Sequence, residues 1–593
     1  ERNSHYLDVT ARLAPGVPLR QAREELDAVA RRLGEIHPGS NRGFGARVTR
    51  LRERIVGPVR AALLVLLGAV GCVLLMACAN VAHLLLARSA AREREMSMRA
   101  ALGAGRGRLI RQLFVEHFLL AAAAGAFGAL LAGWGVHAMR GMIPESVPRV
   151  ASIRIDFPVL MFALAAVMAS TLLFGMVPAL RAMKLDPSGA LKEGARSSAG
   201  RSQRRLRQIL VVGEVMISLV LLSGAGLLLN TLWGMMRTYP GFDASHVLTG
   251  AIHLSGPAYE GRRTAFLQEV LDRLNRLPGA VDAAATSSLP MSGNNLEHVF
   301  KIEGAPPPEA GRFSAASLRA VTPGLHRALR VPLRRGRFLL ESDAAGASEV
   351  VVVNEAMAKK FWPGQDCIGR RIRIERGSEP GWRTIVGIVG NVRHDALYTP
   401  PQPEMYVPYA QEPMAAVYLA LRTTGDPMDL AGALRKAVWA VDPRLPVSRI
   451  ASMSEVVGGS MAETRFNGLL LTLFAALAIA LAGVGIYGTL AHGVAERAHE
   501  LAIRVALGAT ARDVLHLVVG QTLRPVLVGA AAGLVAAAGL TRLLKHQLHG
   551  VKPGDPATFA AVTGLLGLVA VIACYMPARR AARVDPTGAL RHE

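Results

Sequence analysis

Cysteine is nearly missing: four in 593 residues, with no Cys-x-x-Cys pair. Cys72, Cys78 and Cys574 fall inside apolar runs, and Cys367 alone falls in the large polar stretch, which therefore holds no internal disulfide. The metal-protease pattern is missing too, because His499-Glu500 is followed by Ile503 where a second histidine is required. No Gly-Lys pair occurs anywhere, which excludes a phosphate-binding loop, and no Gly-x-Ser-x-Gly occurs, which excludes a nucleophile elbow. Acidic residues are scarce: 44 Asp and Glu stand against 68 Lys and Arg, a net charge of +24. Nucleic acid is one reading of such a charge. The arginines cluster beside apolar runs, however, as cytoplasmic flanks of membrane spans do, and no nucleic-acid partner is expected.

Long apolar runs are what the chain does have. Mean hydropathy is +0.30, and seven runs reach the roughly 20 residues needed to cross a bilayer. They are Ala61–Ala87, Leu113–Met139, Phe157–Leu180, Ile209–Leu232, Phe466–Leu490, Pro525–Leu544 and Phe559–Met576. Residues 1–57 are polar, with a strand expected over Leu7–Leu13 and an amphipathic helix over Pro18–Leu33. Residues 233–465 form a large polar domain of mixed α and β type. Strands are expected over Val247–Leu254, Val350–Val353, Thr384–Val392 and Val417–Leu421, and helices over Arg262–Leu277 and Ala356–Trp362. Its carboxylates are scattered and read as solvated surface. Residues 192–208 read as a flexible basic linker.

Three polar residues inside the apolar runs stand out. Asn80 and His83 lie near the end of the first and read as snorkelling or helix–helix hydrogen-bonding groups rather than an ion path. Glu214 lies about 10 Å past Arg207 at 1.5 Å per residue and reads as a capped or paired carboxylate rather than a proton carrier.

Two elements repeat. REREMSMRAALGA (Arg92–Ala104) returns as RAHELAIRVALGA (Arg497–Ala509), identical at seven of 13 positions. PALRAMKLDPSGAL (Pro178–Leu191) returns as PARRAARVDPTGAL (Pro577–Leu590), identical at nine of 14. The offsets, 405 and 399 residues, nearly agree, so the chain reads as two copies of one unit. In each copy of the first element a Glu precedes an Arg by four residues, placing both on one helix face. A short charged helix between two spans, present twice, reads as a docking surface. Basic residues concentrate in 88–112, 181–208, 493–524 and 579–593, all on one side if the spans alternate. The positive-inside rule assigns that side, with the C-terminus, to the cytoplasm and the large domains to the outside. The second copy has one span before its outer domain and three after it. The first shows only the three, and the chain opens at Glu1 without a signal-like segment. It therefore reads as lacking its front, a span and most of an outer domain, with residues 1–57 as that domain's remnant.

One span, a large outer domain, then three spans with a Glu-x-x-x-Arg-x-x-Leu-Gly-Ala segment resembles the MacB/FtsX type of ABC transporter permease, in its duplicated form like the duplicated permeases of acidobacteria. The fold class expected is an α-helical polytopic membrane protein with a large α+β extracytoplasmic domain and an internal duplication. The resemblance implies permease units over 58–191 and 466–593, a basic linker over 192–208, a span over 209–232 and a MacB-like domain over 233–465. It implies coupling helices that contact a separate cytoplasmic ABC ATPase through Glu95, Arg99, Leu102, Gly103 and Ala104, and through Glu500, Arg504, Leu507, Gly508 and Ala509. No catalytic residue, metal or cofactor is expected in the chain itself, ATP being held by the partner. A periplasmic adaptor or outer-membrane channel is a further implied partner, the inner membrane the location, and efflux or extrusion of a lipoprotein, peptide or antibiotic-like substrate the function. The alternative is a membrane lever or scaffold that regulates an outer partner without transport.

Overall fold

The computed structural model describes residues 9–37, 45–101, 106–141, 155–182, 193–293, 295, 297–306, 313–375, 381–496, 503–504, 507, 510–542, 551–552 and 554–581. Two compact units result, one of residues 1–54 with 235–462, the other of residues 55–234 with 463–593. In chain order, α1 (Leu19–Ile36) is followed by the long helices α2 (Leu51–Ala101), α3 (Arg106–Arg140), α4 (Phe157–Ala182) and α5 (Glu193–Arg237). Next come β1 (Val247–His253), α6 (Arg263–Asn275), β2 (Ala280–Thr286), β3 (Glu297–Ile302), β4 (Ala315–Val321), α7 (Leu325–Ala328), β5 (Leu333–Gly336) and β6 (Val350–Asn354). After these lie α8 (Glu355–Phe361), β7 (Arg371–Ile374), β8 (Arg383–Val389), β9 (Glu404–Pro408), β10 (Ala416–Thr423), α9 (Ala431–Trp439), β11 (Ser448–Ser452) and α10 (Met453–Ser460). The last three are α11 (Ala462–Glu496), α12 (Ala511–Leu540) and α13 (Pro556–Ala581).

In the helical unit each apolar run is helical over all or nearly all of its described residues, as it must be where lipid offers the backbone no hydrogen bonds. Among the described residues six stretches are long and apolar enough to span: Arg60–Leu84, Phe114–Arg140, Arg205–Arg237, Ala462–Val494, Leu523–Leu540 and Pro556–Pro577. The run at Phe157–Leu180 is α4, of 26 residues, whose described apolar part is Phe157–Ala169. The helices outrun their apolar parts. α2 is 51 residues long, and α5 begins at Glu193, so the stretch expected to be a flexible linker is helical. It contains no proline, and adding good helix formers such as Arg and Ala to an existing helix avoids the nucleation cost. Met76 of α2, Val215, Leu219 and Leu227 of α5, Ala478, Ala482 and Ile486 of α11, and Leu566 and Ala570 of α13 form the core. Gly529 and Gly533 of α12 let it close on α5: added Cβ atoms would lie 2.9 Å from Val215 Cβ and 3.0 Å from Leu219 Cβ. This is the small-xxx-small contact of membrane helices.

In the other unit the 11 strands found among the described residues join one sheet, in the order β11-β1-β10-β2-β4-β3-β7-β8-β6-β9, with β5 on β8. β9 returns to pair in parallel with β4, so β4, β3, β7, β8, β6 and β9 close into a ring. Strand alternation divides the apolar residues between two cores. Leu248 and Ile252 face Leu267, Val270 and Leu274 of α6 and Leu434 and Val438 of α9. Val247, Ala284 and Ala420 face Leu325 and Ala328 of α7 and Met453 of α10. The four expected strands are β1, β6, β8 and β10, and the two expected helices are α6 and α8. At the front of the chain α1 matches the helix expected over Pro18–Leu33. Residues 9–13 are not a strand, and no ladder pairs with them among the described residues.

Candidate functional site

The first docking segment is not a short separate helix: Arg92–Ala101 forms the last turns of α2. Glu95 and Arg99 lie there with side chains outside the described residues, and Leu102, Gly103 and Ala104 lie outside the described residues altogether. In the second segment Glu500, Gly508 and Ala509 lie outside the described residues. Arg504 is helical and exposed. Leu507 N donates to Ile503 O at 2.9 Å, closing one helical turn, and the Leu507 side chain is 82% exposed. Thr510 and Asp513 form a capping box that starts α12. Asp513 is the position where the first copy has Arg108, so this difference between the copies is a helix cap in the second. Both Asp-Pro elements, at Asp186-Pro187 and Asp585-Pro586, lie outside the described residues.

Asn80, His83 and Glu214 come together. Asn80 Nδ2 of α2 donates to Leu481 O of α11 at 3.0 Å and to Met76 O at 3.3 Å. His83 Nε2 lies 3.4 Å from Arg207 O of α5, and His83 Nδ1 lies 3.5 Å from Glu214 Oε1. Ser218, one turn beyond Glu214, donates to Ala478 O at 3.2 Å. Gly485 of α11 leaves room for the carboxylate, since a Cβ there would overlap Glu214 Oε2 and lie 3.1 Å from Asn80 Oδ1. The hydrogen-bonding role expected of Asn80 is therefore observed, and the partner facing Glu214 is a histidine rather than an arginine.

The comparisons with known proteins address the same segments. The FtsX-like permease C-terminal domain matches twice, over residues 67–187 and 472–586, so each match contains one docking segment. The MacB-like periplasmic core domain matches residues 210–437. The chain belongs to the MacB/FtsX-like ABC transporter permease family. It is 25% identical over 290 residues to the macrolide export ATP-binding/permease protein MacB of Chromobacterium violaceum, covering 47% of this chain and 44% of that one. It is 27% identical over 280 residues to the pyoverdine export ATP-binding/permease protein PvdT of Pseudomonas putida, covering 44% and 41%. The permease thus spans less than half the length of these relatives. The solved periplasmic region of MacB from Actinobacillus actinomycetemcomitans aligns with 38% of this chain and 95% of its own, at 11% identity and a TM-score of 0.26.

The periplasmic core domain of this permease holds a buried ionic cluster that departs from the expectation of surface carboxylates. β4 and β9 pair Arg319 with Tyr406 and Ser317 with Glu404. Arg319 Nη2 and His394 Nε2 lie 3.3 and 3.2 Å from the same oxygen, Glu404 Oε1. Tyr406 O–H donates to Glu404 Oε2 at 2.6 Å, and Arg319 Nη2 donates to Asn295 Oδ1 at 2.6 Å. The Arg319 and Glu404 side chains are only 1% and 2% exposed. Burial pushes the Glu404 carboxyl up, but His394, Arg319 and Tyr406 together outweigh it and hold it below its ordinary range. Burial pushes the His394 imidazole below its ordinary range, against the opposing pull of Glu404. Burial, with Glu404 beside it, pushes the Tyr406 hydroxyl far up. The signal available in the sequence was one charge inside each of two apolar segments, AASLRAV and EMYVP.

Proposed function

We propose that this chain is the permease component of an ABC system in which a separate cytoplasmic ATPase drives motion of the extracytoplasmic domain and thereby extrudes a substrate. The observation that carries this reading is the docking motif. It occurs once in each FtsX-like stretch, at the same point between spans, with the MacB-like periplasmic core domain between the two. The basic segments support a cytoplasmic side for both docking segments and the C-terminus. These residues contain no Gly-Lys pair, which supports ATP binding by a partner. Relatives named for macrolide and pyoverdine export support an export direction and an antibiotic- or peptide-like substrate. A periplasmic adaptor or outer-membrane channel would complete the export path. The test is a photocrosslink placed beside Arg99 and Arg504 in the intact protein in its own host. Capture of a Walker-containing ATPase at both sites, lost in Arg99→Glu/Arg504→Glu while insertion persists, is the expected outcome. Stable insertion without capture at either site overturns it in favour of a lever acting on an outer partner.

A further inference from the structure

The cluster around Glu214 is the part of the helical unit that the permease reading leaves unused. Glu214 is 1% exposed, and neither of its carboxylate oxygens has a hydrogen-bond partner among the described residues. His83 Nδ1, 5% exposed by its side chain, is likewise unpartnered and lies 3.5 Å from Glu214 Oε1. The neighbouring polar groups are already engaged. Asn80 and Ser218 donate to backbone carbonyls of α11, tying α2, α5 and α11 around the pair. The helices that carry these groups share one buried apolar core, to which Met76, Val215, Ala482 and Ile486 belong.

The tautomer follows from the other ring nitrogen. His83 Nε2 faces the carbonyl oxygen of Arg207 at 3.4 Å, a contact that holds only if Nε2 carries hydrogen. A neutral ring then presents a bare lone pair at Nδ1 toward Glu214. An ionised carboxylate opposite it would set lone pair against lone pair, with no donor to solvate the charge in apolar surroundings. One proton between the two groups removes the conflict. We propose that Glu214 and His83 form an intramembrane proton-binding site, with the resting proton on the Glu214 carboxyl and donated toward His83 Nδ1. Transfer breaks the Glu214 O–H bond and forms an Nδ1–H bond. It leaves a carboxylate beside an imidazolium, and the pair stays at net charge zero. Loss of the proton leaves a net negative charge buried in the seam, and gain of a second leaves a net positive one. Both charge states strain the junction of α2, α5 and α11. Besides the pair, Arg207 of α5 faces His83 through its carbonyl oxygen, and the further charged or titratable side chains along the same helices include Cys78 on α2, Tyr487 and His492 on α11 and Arg524 on α12.

Infrared difference spectroscopy on the intact protein in lipid nanodiscs, titrated from about pH 5 to about pH 8, reads this proton directly. A carbonyl-stretch band of a protonated carboxylic acid is expected at neutral pH and is absent in Glu214→Gln. In His83→Gln, which keeps Glu214, the band shifts in frequency and titrates at a different pH. Replacing potassium by sodium leaves it unchanged. Should Glu214→Gln fail to insert, His83→Gln carries the test alone. No protonated-acid band at neutral pH, a band indifferent to both variants, or a band removed by sodium at fixed pH would each overturn the proposal, the last in favour of a metal-cation site.

Discussion

Replacing Arg319 with methionine keeps most of the side-chain volume and removes the charge facing Glu404. An exposed ion pair would lose at most about 1 kcal/mol, but this pair is 1% and 2% exposed. The relevant case is a buried charge stripped of its partner, which costs about 3–5 kcal/mol. At 1.4 kcal/mol per tenfold, that is an increase of about a hundredfold to a few thousandfold in the population of locally opened molecules. Hydrogen exchange of the backbone amides of β4 and β9 in the intact protein measures it, because these strands pair directly with each other. The loss shrinks in acid, where Glu404 takes up a proton and no longer needs a counter-charge. The double variant Arg319→Met/Glu404→Met exchanges far more slowly than either single variant, since a packed apolar pair of similar volume carries no unmet charge. Exchange in Arg319→Met within about threefold of the unmodified protein would place the pair in the exposed regime and refute the argument.

Two further outcomes follow from the same structure. Burial holds His394 below 6.5, so as pH falls through 6.5 the unfolded chain takes up a proton that the folded domain refuses. Stability therefore declines on the acid side. Glu404, held below 4.5, adds a second loss as pH falls below that value. His394→Gln flattens the first decline, and melts of the intact protein across that window measure it, an unchanged slope counting against a buried neutral imidazole. Gly533→Leu drives a side chain into Leu219, a strain of about 1–3 kcal/mol, while Gly564, with nothing within 4 Å of an added Cβ, accepts the same change. The thermal midpoint in detergent falls for the first and holds for the second; equal midpoints would mean that α12 does not close on α5 through its glycines.

The helical unit was legible because lipid permits the backbone one economical solution, and Leu-, Ala- and Val-rich runs announce it. The helix ends were not. Arg201, Arg204, Arg205 and Arg207 read as a linker because charge patterning speaks to solvation, while helix continuation depends on the preformed nucleus of the neighbouring span. The sheet was legible where β-branched residues concentrate, as in Val350–Val353. It was hidden in β2 (AVDAAAT) and β4 (AASLRAV), whose alanines gain their stability from cross-strand neighbours and covering helices rather than from strand propensity.

The Glu214 site shows where the boundary lies. Glu214, His83 and Asn80 each stood out singly as polar residues in apolar runs, while Gly485, in AGVGIYG, looked like any packing glycine. Helical period places Arg207, Glu214 and Ser218 along one face of α5, Asn80 and His83 along one of α2, and Gly485, Thr489 and His492 along one of α11. Each stripe is computable from spacing alone. Which stripes face each other depends on how the helices are rotated and paired, and residues 80, 214 and 485 are too far apart in the chain for spacing to decide that. Yet a polar stripe on an apolar helix has few places to go in a bilayer. Three such stripes in one chain narrow the pairing of their helices considerably, and the pairing observed here brings Asn80 and His83, Glu214 and Ser218, and Gly485 to one place.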